Sequence, residues 1–317
     1  MNKKNLLVVV CIGISLLSFS QSTDYARIKP YVDSISNIKY KTYEELAAQF
    51  RKTGWSDIEK AGAVYYWIAT NIDYDMKGYT SGQWRFLKFD STLARVTYEK
   101  KRGVCSGYST LLKYMCDIIG VETAIITGYV KKEDNPHFVT NAPNHVWNAI
   151  KVNNVWCLVD VTWARTANEK TKCDDYYFLV NPNEFIANHY PEDYQWQLLC
   201  KPISKVEFDN YPYISSIYFE LGFNEIFPKE GKLQIENNKV SFSIEVPQNY
   251  SIILKVFDND VNKWVVPKCK LYNEQGKINA TIMLEDEYEK LLRVDVLSND
   301  PDIYEEFKGV LYYTLTY

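Results

Sequence analysis

Downstream of Cys105, apolar positions fall at Tyr108, Leu111, Leu112, Met115, Ile118 and Ile119. That spacing predicts an amphipathic helix, and Gly120 is a natural stop for it. Residues 121–130 read as a strand. Two further strand-like runs follow, residues 144–150 and 155–163. Asn153-Asn154 between them reads as a two-residue hairpin loop, because asparagine tolerates positive φ. Val152 then faces Val155, and every directly opposed pair sums to 307. In that register His145, Trp147, Ala149 and Lys151 share a face with Thr162, Asp160, Leu158 and Trp156. Asp160 lies across from Trp147 and diagonal to His145, roughly 7–8 Å away and within side-chain reach. A slip of one residue would put the pair on opposite faces.

The flanks have different periods. Thr42-Tyr43-Glu44-Glu45 and Ser56-Asp57-Ile58-Glu59 both fit a capping box. The second opens a helix with Ile58, Val64, Trp67, Ile68 and Ile72 as its core stripe. Residues 75–100 read as a polar loop over a site rim, and 131–143 as a polar loop leading into the His145 run. The pattern changes near residues 200–212. Short β runs then recur at 232–236, 240–246, 251–258, 263–266, 278–284, 291–297 and 310–316, the outline of an immunoglobulin-like β-sandwich. The expected division is a segment 1–20, a helix-and-strand domain 21–205 and a β-sandwich accessory domain 206–317.

Three residues on the central elements carry chemistry. Cys105 begins the helix, where the unpaired N–H groups and the helix dipole favour a thiolate. Gly103 and Gly107 flank it and are expected to let backbone approach the sulfur. The hairpin supplies an imidazole, His145, and a carboxylate, Asp160, on one face. A thiol, a base and a carboxylate that orients it are the parts of an activated cysteine nucleophile. Gln83 or Trp84 is a candidate oxyanion donor beside the Cys105 N–H. His137 is a distant alternative base, and His189, next to Tyr190-Pro191, is assigned to packing. Asn148 alternates away from the His145 face, so a structural hydrogen bond is its expected role.

Gly103-Val104-Cys105-Ser106-Gly107-Tyr108-Ser109, Asn144-His145-Val146-Trp147-Asn148 and Leu158-Val159-Asp160-Val161-Thr162-Trp163 together resemble the core of the transglutaminase-like superfamily, in its kyphoscoliosis-peptidase-like branch. Flanking similarities extend over about residues 40–200. The resemblance implies a papain-like α+β core with Cys105 as nucleophile, His145 as base and Asp160 as its orienting carboxylate. It leaves hydrolysis, amide transfer and a non-catalytic scaffold all open. The absence of an Asp-x-Asp-x-Asp loop tilts the expectation toward metal-independent hydrolysis of a peptide or glutamine amide, with no cofactor.

Composition adjusts the picture little. Lys3 and Lys4 precede an apolar run from Leu6 to Leu17, then Ser18-Phe19-Ser20, which reads as a signal peptide and predicts a secreted or periplasmic, cell-envelope protein. Its removal would leave 34 basic against 40 acidic groups. That charge balance, without a basic run, argues against nucleic acid as a partner. The expected partner is a protein or peptide substrate, with a cell-envelope peptide as one option. No later segment is long and apolar enough to cross a bilayer. Three histidines and scattered cysteines give no metal-ligand spacing. Cys173–Cys200 is the expected disulfide if one forms.

Overall fold

The computed structural model describes residues 26–84, 87–133, 140–165, 173–223, 228–285, 288–300 and 305–317. The apolar segment at 1–20 and His137 lie outside the described residues. The chain forms two compact units. The first comprises residues up to Gly128 with Pro143–Phe185 and Pro191–Pro202; the second comprises Ile203–Tyr317 with Tyr129–Ala142 and Ile186–Tyr190.

The first unit sets helices beside an antiparallel sheet. Asp57–Asn71 begins with a complete capping box: Ser56 Oγ accepts from the Glu59 N–H, and Glu59 returns a bond to the Ser56 N–H. At Thr42 only half of that device forms. Its hydroxyl accepts from the Glu45 N–H, while the Glu45 carboxylate turns to the Lys41 N–H. Val64, Trp67, Ile68 and Ile72 are buried as their spacing requires.

Residues 75–100 are not the expected loop. They hold the helices Met76–Ser81 and Ser91–Lys100. Asp75 caps the first through the Gly78 N–H, and Asp90 caps the second through Thr92 and Leu93. Leu93, Ala94, Thr97 and Tyr98 form the buried side of Ser91–Lys100. Lys, Arg and Glu on its outer side obscured that stripe in the sequence.

The sheet runs in the order Phe178–Val180, Val155–Val159, His145–Val152, Thr123–Val130, His189–Pro191. The central hairpin has the register expected of its turn: Val152 pairs with Val155, Ile150 with Cys157 and Asn148 with Val159. Asn153 and Asn154 both have positive φ, 49° and 66°, as a type I′ turn demands.

In the second unit two sheets close over one core. One has three strands, ordered Lys239–Glu245, Lys277–Met283, Cys269–Glu274. The other runs Lys263–Val265, Tyr250–Asp258, Tyr288–Ser298, Glu306–Thr316, Tyr213–Ile214, with Lys232–Gln234 alongside Glu306–Thr316. Phe242, Ile244 and Ile282 from the first sheet belong to the same buried cluster as Leu254, Val294 and Leu311 from the second. Seven runs were expected here, and Cys269–Glu274 was not among them. It is an edge strand with almost every residue exposed, so it carries no apolar alternation to betray it.

Candidate active site

Cys105 is the first residue of the helix Cys105–Ile119, which ends at Gly120 in the left-handed region (φ 84°). The chain is led to this point by a short parallel pairing: Asp73 opposes Arg102 and Tyr74 opposes Gly103. The Asp75 N–H then donates to the Gly103 carbonyl at 2.8 Å. Val104, the N-cap, supplies no capping side chain, so the first-turn donors are not met in that usual way.

The helix is fastened to the His145 strand by two side chains. Ser109 Oγ donates to the Val146 carbonyl at 2.9 Å. Asn148 Nδ2 donates to the carbonyls of Ser109 at 3.1 Å and Ala124 at 3.0 Å. Asn148 thus has the structural role expected from strand alternation. Ser109 was not singled out from sequence, although it lies four residues after Cys105 and therefore on the same helix face.

His145 Nε2 and Asp160 Oδ2 are 2.6 Å apart. The ladder ends at Asn148–Val159, so Asp160 reaches the imidazole from the first residue beyond the strand. Its backbone is held there by its N–H donating to the Tyr177 carbonyl at 2.9 Å. Asp160 Oδ1 accepts from the N–H groups of Thr162 at 2.9 Å and Trp163 at 3.1 Å. One carboxylate oxygen fixes the turn and the other fixes the imidazole. The rings of Trp147 and Trp163 lie 6.1 and 5.8 Å from His145, restricting its rotation.

With Nε2 committed to Asp160, the other ring nitrogen is the one that serves the hydrogen bond between His145 and Cys105. Asp160, His145 and Cys105 therefore form one chain of contacts. Asp160 is 0%, His145 6% and Cys105 8% exposed. Burial pushes the Cys105 thiol up, but the hydrogen bond and charge of His145, helped by the Val146 N–H, leave it below its usual range. Desolvation pulls His145 down, yet the charge and hydrogen bond of Asp160 raise it to about 10. These opposite shifts favour a thiolate–imidazolium pair. Burial, followed by the nearby Cys105 charge, also raises Tyr74 above the usual phenol range.

Three expectations need correction. Gly103 and Gly107 do not serve the sulfur: a Cβ at these positions would meet Thr97 at 2.9 Å and 2.6 Å respectively. They form the notch into which Thr97 of the neighbouring helix fits. Trp84 is a core residue beside Leu93 and Val104. Its indole N–H donates to Asp75 Oδ2 at 3.0 Å, so that donor is committed away from the sulfur. Gln83 is exposed, and its N–H donates to the Gly78 carbonyl at 3.0 Å. Cys173 keeps its thiol, so the Cys173–Cys200 disulfide is absent. His189 is buried against Asn188, Nδ1 to Oδ1 at 2.6 Å. A groove lined by Ile125, Ile126, Thr127, Glu192, Asp193 and Trp196 includes none of Cys105, His145 and Asp160.

Residues 44–161 match the family model of the transglutaminase-like superfamily. The chain carries a transglutaminase-like domain. Kyphoscoliosis peptidase of Mus musculus is 28% identical over 221 residues, covering 67% of this chain and 33% of that protein. Hillarin of Drosophila melanogaster is 30% identical over 224 residues, covering 62% and 25%. Cytokinesis protein 3 of Schizosaccharomyces pombe is 31% identical over 118 residues, covering 35% and 13%. The transglutaminase-like domain is thus of the kyphoscoliosis-peptidase-like branch. The chain spans a third or less of the length of these curated relatives. The comparisons overturn the exported location expected from residues 1–20: the relatives, cytokinesis proteins among them, are intracellular and not secreted. Among the described residues no helix is long and apolar enough to cross a membrane.

Proposed function

We propose that the transglutaminase-like domain is a cysteine acyl-transfer enzyme acting on a peptide or glutamine amide of a protein. The supporting observation is the continuous contact from Asp160 through His145 to Cys105 at a helix N-terminus. The Cys105 thiolate adds to the amide carbonyl, and the C–N bond breaks as protonated His145 gives its proton to the departing amine. A thioester remains on Cys105. Water, deprotonated by His145, then adds to the thioester; the C–S bond breaks and Cys105 is released. An amine in place of water would give transamidation. Hydrolysis is the favoured outcome because the sequence shows no acidic loop of the calcium-binding kind. Asp160 keeps the imidazole oriented throughout. Residues 206–317 are read as an immunoglobulin-like accessory domain that binds or positions the substrate.

A second reading, a protein-binding scaffold without turnover, draws support from the burial of the Cys105 side chain and from relatives named for cytokinesis. An activated ester separates the two. With p-nitrophenyl acetate, the enzyme reading expects a p-nitrophenol burst stoichiometric with protein and an acetyl thioester on Cys105, both absent in Cys105→Ala. Equal slow release from both proteins would leave the scaffold reading in place.

A further inference from the structure

The strand Cys269–Glu274 is the open edge of the three-stranded sheet. Its pairing with Lys277–Met283 sets which of its backbone groups are already used. Glu274 opposes Lys277 across the two-residue Gln275-Gly276 turn, where φ is 54° and 87°. The residues closing such a turn form a hydrogen-bonded pair. At the other end, the Met283 N–H donates to the Lys268 carbonyl at 2.8 Å, which is the same parity. Lys270, Tyr272 and Glu274 therefore direct their N–H and C=O groups into the sheet. Leu271 and Asn273 direct theirs to the open edge.

Such an edge is a template for another strand, and proteins that stay monomeric blunt theirs with bulges, prolines, covers or charged side chains. Among the described residues no bulge or proline interrupts 270–274, and its two charges, Lys270 and Glu274, are of opposite sign. Tyr272 is 62% and Leu271 44% exposed. The charges along the strand run from Lys270 at one end to Glu274 at the other, symmetric about Tyr272.

We infer that this edge pairs antiparallel with the same edge of a second copy of the chain, on a two-fold axis at Tyr272. The register meets both requirements at once. Leu271 opposes Asn273 of the other copy, so the edge-facing groups exchange main-chain hydrogen bonds on both sides of the axis. Tyr272 opposes its own counterpart as a non-hydrogen-bonded pair, which its inward-turned N–H and C=O allow. Lys270 opposes Glu274 of the other copy twice, on the face that carries the tyrosine pair, so like charges never meet. Centring the axis between Leu271 and Tyr272 would set edge-facing groups against groups already committed to the sheet. Centring it on Leu271 would keep the hydrogen bonds but set Lys270 against Tyr272 in place of Glu274. The two three-stranded sheets become one of six strands. An edge-to-edge contact this short buries little area, so the dimer is a weak, concentration-dependent one.

Sedimentation of the full chain over a range of concentrations tests this. Wild type is expected to dimerise reversibly. Lys270→Glu and Glu274→Lys, each placing like charges opposite one another twice, are expected to weaken the dimer by about tenfold. The double variant Lys270→Glu/Glu274→Lys restores both pairs and regains the dimer. Restoration by two exposed changes separates pairing from misfolding. Tyr272→Cys adds a geometric check: opposed Cα atoms of a non-hydrogen-bonded pair lie about 4.5 Å apart, within disulfide range, so oxidation with diamide should link two chains through residue 272. A monomer at every concentration would overturn the inference. So would a dimer indifferent to both charge reversals, or one that the double variant fails to restore.

Discussion

Asp160 divides its two oxygens between the local chain and the site. Oδ1 takes the Thr162 and Trp163 N–H groups while Oδ2 holds His145. Asp160→Asn replaces a charge with an amide and weakens the reason for the imidazole to be protonated. Iodoacetamide labelling of Cys105 at pH 6 is expected to slow by about 10²-fold, in line with loss of an oriented base, while circular dichroism stays native. The raised His145 also leaves a mark on stability. A base whose folded pKa exceeds its unfolded value stabilises the fold fully below the unfolded value, about 6.5, and less as pH rises toward the folded one. For His145 that window runs up to about 10. The melting-temperature gap between wild type and His145→Ala should therefore be widest below pH 6.5 and narrow toward pH 10. A gap that widens with pH would contradict the protonated imidazole.

At the scale of elements, the hairpin and the Cys105 helix were legible because local chemistry specifies them. Asn153-Asn154 sets a turn, the turn sets a register, and that register leads the chain to Asp160, which meets His145 from just beyond the strand. The two helices within 75–100 were not legible, since each needs packing to select it from a polar stretch. The role of the glycines beside Cys105 was hidden for the same reason: it depends on Thr97, which is adjacent only in the fold. Gly107→Ala brings a Cβ to 2.6 Å from Thr97 Oγ1 and is expected to cost about 1–3 kcal/mol. Thr97→Ala in the same chain removes the obstructing hydroxyl and should recover much of that loss in urea unfolding. No recovery would mean the notch is not where the strain lies.

At the scale of the molecule, the change of period near residue 200 marked the strand-rich C-terminal region. Composition could not show that Tyr129–Ala142 and Ile186–Tyr190 join the second unit, because such excursions arise from long-range contacts. The apolar stretch at residues 1–20 carries the local marks of an export signal, yet the relatives are intracellular; a short apolar run does not by itself fix a destination. The chemistry proposed for the whole chain rests on whether Cys105 is a thiolate near neutral pH. The direct measurement is the pH dependence of its alkylation, followed by peptide mass spectrometry in wild type and His145→Ala. A free thiol titrates near 8.5, whereas one paired with histidine at a helix N-terminus falls to roughly 3.5–7.5. Fast labelling below neutral pH in wild type, lost in His145→Ala, is the predicted result. Slow labelling that rises only at alkaline pH, equal in both proteins, would contradict the ion pair and the nucleophile together.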